Sequence, residues 1–212
     1  MYVPPAFAVV DPAELIGMIK SVPLAQLVTA TADGLMATPL PLHLDPSEGS
    51  HGVLYGHVAK ANPQWRASTI GEALAIFMGP DTYVSPSWYP TKQETGKVVP
   101  TWNYTAIHAY GAIEFFEDTE RLLALVTQLT DHHEKRRAKP WAVSDAPESY
   151  IQSQLKGIVG VRLVISRIEG KIKLSQNRNT ADHQGVIDGL ASSHLETDQA
   201  VRALMQQPKP RS

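Results

Sequence analysis

The run Trp102–Phe116 constrains this chain more than any other segment. It is rich in aromatic and β-branched residues, holds no proline, and is interrupted only by Gly111. At about 3.3 Å per residue it would reach about 50 Å if straight, too long for one flat strand in a small domain. It must curl, with Gly111 as the expected bend, as strands do around a barrel. The 212 residues suffice for one good-sized core around it.

Neighbouring segments supply strands of the same kind. Leu24–Thr31 and Leu35–Leu44 are joined through Asp33-Gly34, a strong hairpin signal. Val53–Ala59 predicts a further strand, Ala73–Met78 a short apolar one, and Tyr83–Tyr89 an extended stretch broken by Pro86. Ile158–Ile168 predicts a strand that turns at Glu169-Gly170 into a hairpin partner, Lys171–Ser175. Helices are expected after Asp11-Pro12, briefly after Asn62-Pro63, after Asp118, from Pro147 to Gly157, and over Thr180–Leu190, each with a capping residue or a proline at its start. The sum is α+β: six or seven strands in mainly antiparallel order, a split β-barrel with peripheral helices. Residues 1–192 read as that domain. Residues 193–212 read as a C-terminal tail, partly helical or disordered.

Several function classes are disfavoured. The net charge of −2 leaves no global positive field for DNA or a membrane surface. The basic run Lys135-Arg136-Arg137 reads as a solvated helix end, so DNA is expected only weakly or indirectly. The absence of cysteine rules out disulfides and thiolate chemistry. No apolar run approaches the roughly 20 residues of a membrane span, and no signal peptide is legible, so a cytoplasmic protein is expected. There is no G-x-G-x-x-G, Walker loop, H-E-x-x-H or G-x-S-x-G. His132 and His133 are helix neighbours pointing about 100° apart, so a structural role is favoured over a metal site.

Three clusters carry chemistry. In Gly56–Pro63, His57 and Lys60 stand at a strand end just before Asn62 opens a helix, an arrangement suited to a phosphate dianion. The same residues also read as a capped turn with a surface lysine. Ser85, Ser87 and Trp88, with Trp102 and Asn103, bring aromatics and small polar groups together, as an isoalloxazine ring requires; a core with satisfied indoles is the alternative. Ser175, Gln176 and Asn177, within Lys173–Arg178, either read a ligand's polar edge or cap the following helix.

Six blocks in chain order carry a resemblance. They are Met1-Tyr2-Val3-Pro4 with Phe7, Gly56–Trp65, Phe77–Pro80, Tyr83–Tyr89, Val99–Tyr104 and Gly170–Asn177. Together they resemble the PaiB family of FMN-binding negative transcriptional regulators. The resemblance implies a split barrel related to pyridoxamine-phosphate oxidases, a homodimer, and FMN in clefts at the subunit interface. It implies phosphate contacts from the regions Ala37–Leu40, hence Thr38, and Tyr55–Asn62. The oxidases carry an arginine and a lysine on the first of these strands, and Leu35–Leu44 has neither. Phosphate binding then falls to His57, Lys60 and backbone donors. Two other readings stay open: an FMN-dependent oxidoreductase acting on a small molecule, and a haem-binding split barrel using His57 or His108.

Overall fold

The computed structural model describes residues 1–207. In chain order the elements are strand β1 (Ala8–Val9), helix α1 (Pro12–Ser21), β2 (Leu24–Thr31), β3 (Gly34–Pro41), β4 (His43–Asp45), β5 (Val53–Ala59), β6 (Ala73–Val84), α2 (Thr91–Thr95), β7 (Thr101–Phe116), α3 (Thr119–Glu134), α4 (Glu148–Leu155), β8 (Ile158–Lys173), α5 (Thr180–Ala191) and α6 (Glu196–Met205). All eight strands among the described residues join one sheet in the order β3-β2-β6-β7-β8-β5-β4, with β1 added on β8. The pairs β1–β8, β2–β3, β2–β6, β4–β5 and β5–β8 are antiparallel. The chain is therefore α+β and mainly antiparallel, as its sequence predicts. The end of the expected tail, from residue 208 on, lies outside the described residues.

The chain divides into two compact units. The first comprises Met1–Leu15, Met78–Ile107 and the chain from Glu169 onward; the second comprises Ile16–Phe77 and His108–Ile168. In the second unit the Asp33-Gly34 turn sets an eight-pair register from Thr31↔Gly34 to Leu24↔Pro41. Alternation along β2 buries Ala25, Leu27 and Thr29 on one face. The sheet curls until β3 meets β5: a Cβ on Gly56 would stand 2.6 Å from the carbonyl oxygen of Pro41. That closure gives the split β-barrel. Asp118 caps α3 by accepting from the Arg121 N–H at 2.8 Å, and α3 buries Leu122, Leu125 and Leu129 with Phe116 and Leu155.

In the first unit, Val84, Tyr89 and Leu174 pack with Val186, Ile187 and Leu190 of α5 and Val201 and Met205 of α6. Thus Glu196–Met205, within the expected tail, is a helix with two buried side chains.

One expected hairpin does not form. β8 runs without a turn through Glu169-Gly170 to Lys173, and Gly170 pairs with Val9 of β1. A Cβ at Gly170 would strike Leu15, so the glycine admits a close neighbour rather than a reversal. β7 is likewise one element over all 16 of its residues, and a Cβ at Gly111 would overlap the Val164 carbonyl of β8.

Gly111→Ala should therefore destabilise the protein by about 2–3 kcal/mol, since the obstacle is backbone and cannot swing aside. Gly17→Ala, on α1 with nothing within 4 Å of the added methyl, should stabilise by about 0.5–1 kcal/mol. Urea denaturation of both variants checks the contrast; equal midpoints would contradict it.

Candidate functional site

The expected phosphate segment lies in the second unit, where β5 ends and the chain enters a single 3-10 turn, Pro63–Arg66. Asn62 organises it. Its Oδ1 accepts from the Gln64 N–H at 2.9 Å, and its Nδ2 donates to Thr38 Oγ1 on β3 at 2.9 Å. Two of the four residues expected here are thus in contact. Lys60 sits beside them in sequence, but its ammonium pairs with Glu117 at 2.5 Å, with both side chains 44–47% exposed. Its backbone N–H donates to Gly157 O, and its carbonyl accepts from the Trp65 indole at 3.0 Å. His57 Nδ1 is buried with no hydrogen-bond partner among the described residues. Burial holds the imidazole below its ordinary pKa, so it is neutral at neutral pH. Lys60 is the one formal cation of the four.

Gln64 was not legible as a site residue. It is 1% exposed, and its Nε2 donates to Thr29 Oγ1 at 3.0 Å and to the carbonyl of Leu27 at 3.3 Å. A glutamine just after a helix-opening proline reads as surface from sequence. The tertiary fold turns it inward to tie the 3-10 turn to β2.

The other eight expected residues lie in the first unit. Ser85 caps the turn Pro86–Trp88 by accepting from the Ser87 N–H, and Ser87 Oγ accepts from Lys92 at 3.4 Å. Trp88 lies against α5 at Gly185 and Gly189, where any Cβ would strike it. It is a packing residue of the α5–α6 core. Asn103 is fully buried and accepts at 3.0 Å from the hydroxyl of Ser175. That bond helps hold Ser175 at φ 60°, a left-handed conformation costly for a residue with a Cβ. Gln176 folds back on β8, its Oε1 accepting from the Leu174 N–H and its Nε2 donating to Ile172 O. Asn177 is exposed.

Trp102 is different. It is 53% exposed and meets Tyr83 edge-on at 6.1 Å between ring centroids. Beside it, on β8, two lysines that the expected set omitted converge. Lys173 donates to Thr101 Oγ1 at 2.6 Å and to Trp102 O, and lies 5.9 Å from the Tyr104 ring. Lys171, 8% exposed, donates to Tyr2 O at 3.2 Å and lies 5.1 Å from the same ring. Arg178 stacks on Tyr89 at 4.6 Å. The signal for the lysines was their spacing of two on a strand, which puts both on one face.

Taken by itself, the first unit offers aromatic faces next to cations, which suit a flat anionic group. Taken by itself, the second offers an amide, a hydroxyl and a lysine at a strand end.

The family model described as "Putative FMN-binding domain" matches residues 1–167. The chain is 34% identical to the protease synthase and sporulation protein PAI 2 of Bacillus subtilis, over 97% of each chain. It is 37% identical to protein AN0679 of Emericella nidulans, over 85% of this chain and 86% of that one. Among solved structures it resembles the FAD and haem binding protein of Mycobacterium smegmatis (TM-score 0.57, 16% identity, 78% of this chain and 73% of that one). It also resembles the flavocytochrome Anf3 of Azotobacter vinelandii (TM-score 0.56, 13% identity, 79% and 69%). At these identities the structural likeness speaks for the fold.

His57 makes a pH prediction. Its folded pKa lies below the unfolded 6.5, so between the two values the unfolded chain binds more protons. Stability should then fall as pH drops below about 6.5, and His57→Asn should remove part of that fall. His43 and His132 are shifted the same way, so a residue of the pH dependence should persist. Urea midpoints at pH 7.5 and 5.5 test it; an unchanged difference in His57→Asn would contradict it.

Proposed function

The chain belongs to this family of FMN-binding domains, the PaiB family, and on that premise we propose that it is a homodimeric regulator that responds to the presence or redox state of bound FMN. The observation that carries the reading is the exposed Trp102, next but one to a Tyr104 ring that two lysines without a carboxylate partner approach. FMN binding is what the family shares. The flavin supplies reversible electron transfer when bound; the chain's part is to hold and orient it. By itself, the first unit offers an aromatic ring the faces of Trp102 and Tyr104; by itself, the second offers a phosphate the hydroxyl of Thr38, the amide of Asn62, and the charge of Lys60 once it leaves Glu117. That exchange is accessible because an exposed ion pair is worth only about 0–1 kcal/mol.

The regulatory output is assigned to a protein partner or a dimer-formed patch rather than to direct reading of DNA. The net charge is −2. Large apolar side chains left exposed, Leu35 at 77% and Ile70 at 58% in the second unit and Val99 at 64% in the first, support the dimer. No helix among the described residues is long and apolar enough to cross a membrane. The half-exposed Trp102 also favours a second reading, an FMN-dependent oxidoreductase, because a small molecule could stack there. In that case the reduced holoprotein should be reoxidised faster with substrate present than by dioxygen alone.

Purified protein should carry, or take up, one FMN per chain and scatter light as a dimer at micromolar concentration. Lys60→Ala should weaken FMN by about tenfold to a hundredfold, the span of about 1.5–3 kcal/mol for a charged hydrogen bond. Riboflavin, lacking the phosphate, should bind parent and variant equally. Fluorescence titration with both ligands decides; equal FMN affinity would remove Lys60 from the site. Duplex DNA should bind weakly and lose affinity with salt, and nanomolar binding to a defined sequence at physiological salt would overturn the indirect mode.

A further inference from the structure

We propose that Lys171 and Lys173, with the rings of Tyr104 and Trp102, form a subsite for the electron-rich edge of the isoalloxazine ring and favour its reduced, anionic form. The assignment rests on the flavin-binding reading above and deepens it, since it names the groups that would meet the ring.

The argument begins with charge pairing. Several cations have carboxylates: Arg162 pairs with Glu48, Arg121 with Glu114, Lys60 with Glu117, and the terminal ammonium with Glu169. Among the described residues, Lys171, Lys173 and Arg178 have none. Lys171 is nonetheless 8% exposed, and the Lys173 ammonium is partly buried. Burial, with Lys171 and Arg178 acting as like charges, pushes the Lys173 pKa down. Desolvating like charges together without a counter-ion is unfavourable, and a ligand anion removes the cost.

The lining selects the anion. Both ammonium groups lie within 6 Å of the Tyr104 ring, at 5.1 and 5.9 Å, and Lys173 is hydrogen-bonded to Thr101 and the Trp102 carbonyl. Flat faces therefore border the charge directly. A phosphate would use the cations and waste the faces. A planar ring with charge along one edge uses both. Two electrons from a reductant and one proton leave the reduced isoalloxazine with one negative charge, spread over N1 and the adjacent carbonyl. Cations at that edge bind the reduced form more tightly than the neutral oxidised one.

The test uses FMN-loaded parent, Lys173→Met and Lys173→Arg, titrated anaerobically with dithionite, together with binding of FMN and riboflavin to each. Lys173→Met should weaken both oxidised ligands alike. It should weaken the reduced form about tenfold further, lowering the two-electron midpoint by about 30 mV. Lys173→Arg should restore most of the loss, which a merely structural role would not. Lys171→Gln should shift the potential in the same direction and serves as the test should Lys173→Met fail to fold. An unchanged midpoint in a folded, flavin-loaded variant overturns the subsite and leaves flavin binding intact. A loss confined to FMN, with riboflavin unaffected, also overturns it and gives these cations to the phosphate. A parent that binds neither flavin removes both this assignment and the function it rests on.

Discussion

The rest of the structure depends on the close pairing of β7 with β8. Gly111 lets the β8 backbone approach at Val164, and Gly160 leaves room for the Phe116 ring. At the other end of the same ladder Lys173 bonds to Thr101. The contacts step in opposite directions along the two strands, as in an antiparallel pair. Each strand has 16 residues, and each contributes to both compact units. A side chain forced between them at Gly111 would displace barrel backbone and not merely a neighbouring rotamer, because interiors are close-packed.

Charge is treated differently in the two units. In the second, Arg162, Arg121 and Lys60 are matched with acids at or near the surface, which is inexpensive and adds little stability. In the first, Lys171 and Lys173 are crowded beside aromatic rings with carbonyl and hydroxyl oxygens as their only hydrogen-bond partners described. Stability alone does not favour that arrangement. Under the proposed subsite, a bound anion would supply the compensation. The neutral, buried His57 adds no charge to the segment from Tyr55 to Asn62.

Much of the architecture is legible from local pattern. The Asp33-Gly34 turn, the caps at Asp118 and Asn62, and the alternation along β2 and β5 all appear where sequence predicts them. The site is legible less evenly. Thr38 meets Asn62, and Trp102 is exposed. Ser85, Trp88, Asn103 and Gln176 make bonds or packing contacts inside the first unit. A polar or aromatic residue in a dense cluster reads alike whether it faces a ligand or supports the one that does. From sequence a lysine on a strand reads as solvent-facing, so the burial of Lys171 is not legible there.

The sequence alone determined the fold class, the Asp33-Gly34 hairpin, the starts of most longer helices and the FMN-binding family. Those follow from propensities and spacings within a few residues of one another, and from motifs kept in order along the chain. Tertiary structure alone decided that Glu169-Gly170 is strand and not turn, because β1, some 160 residues earlier, pairs there. It alone decided that Lys60 meets Glu117 and that Asn103 meets Ser175, 72 residues away. Which of two distant side chains becomes a partner is set by how strands stack in space, and neither residue's own neighbourhood in the chain contains that information.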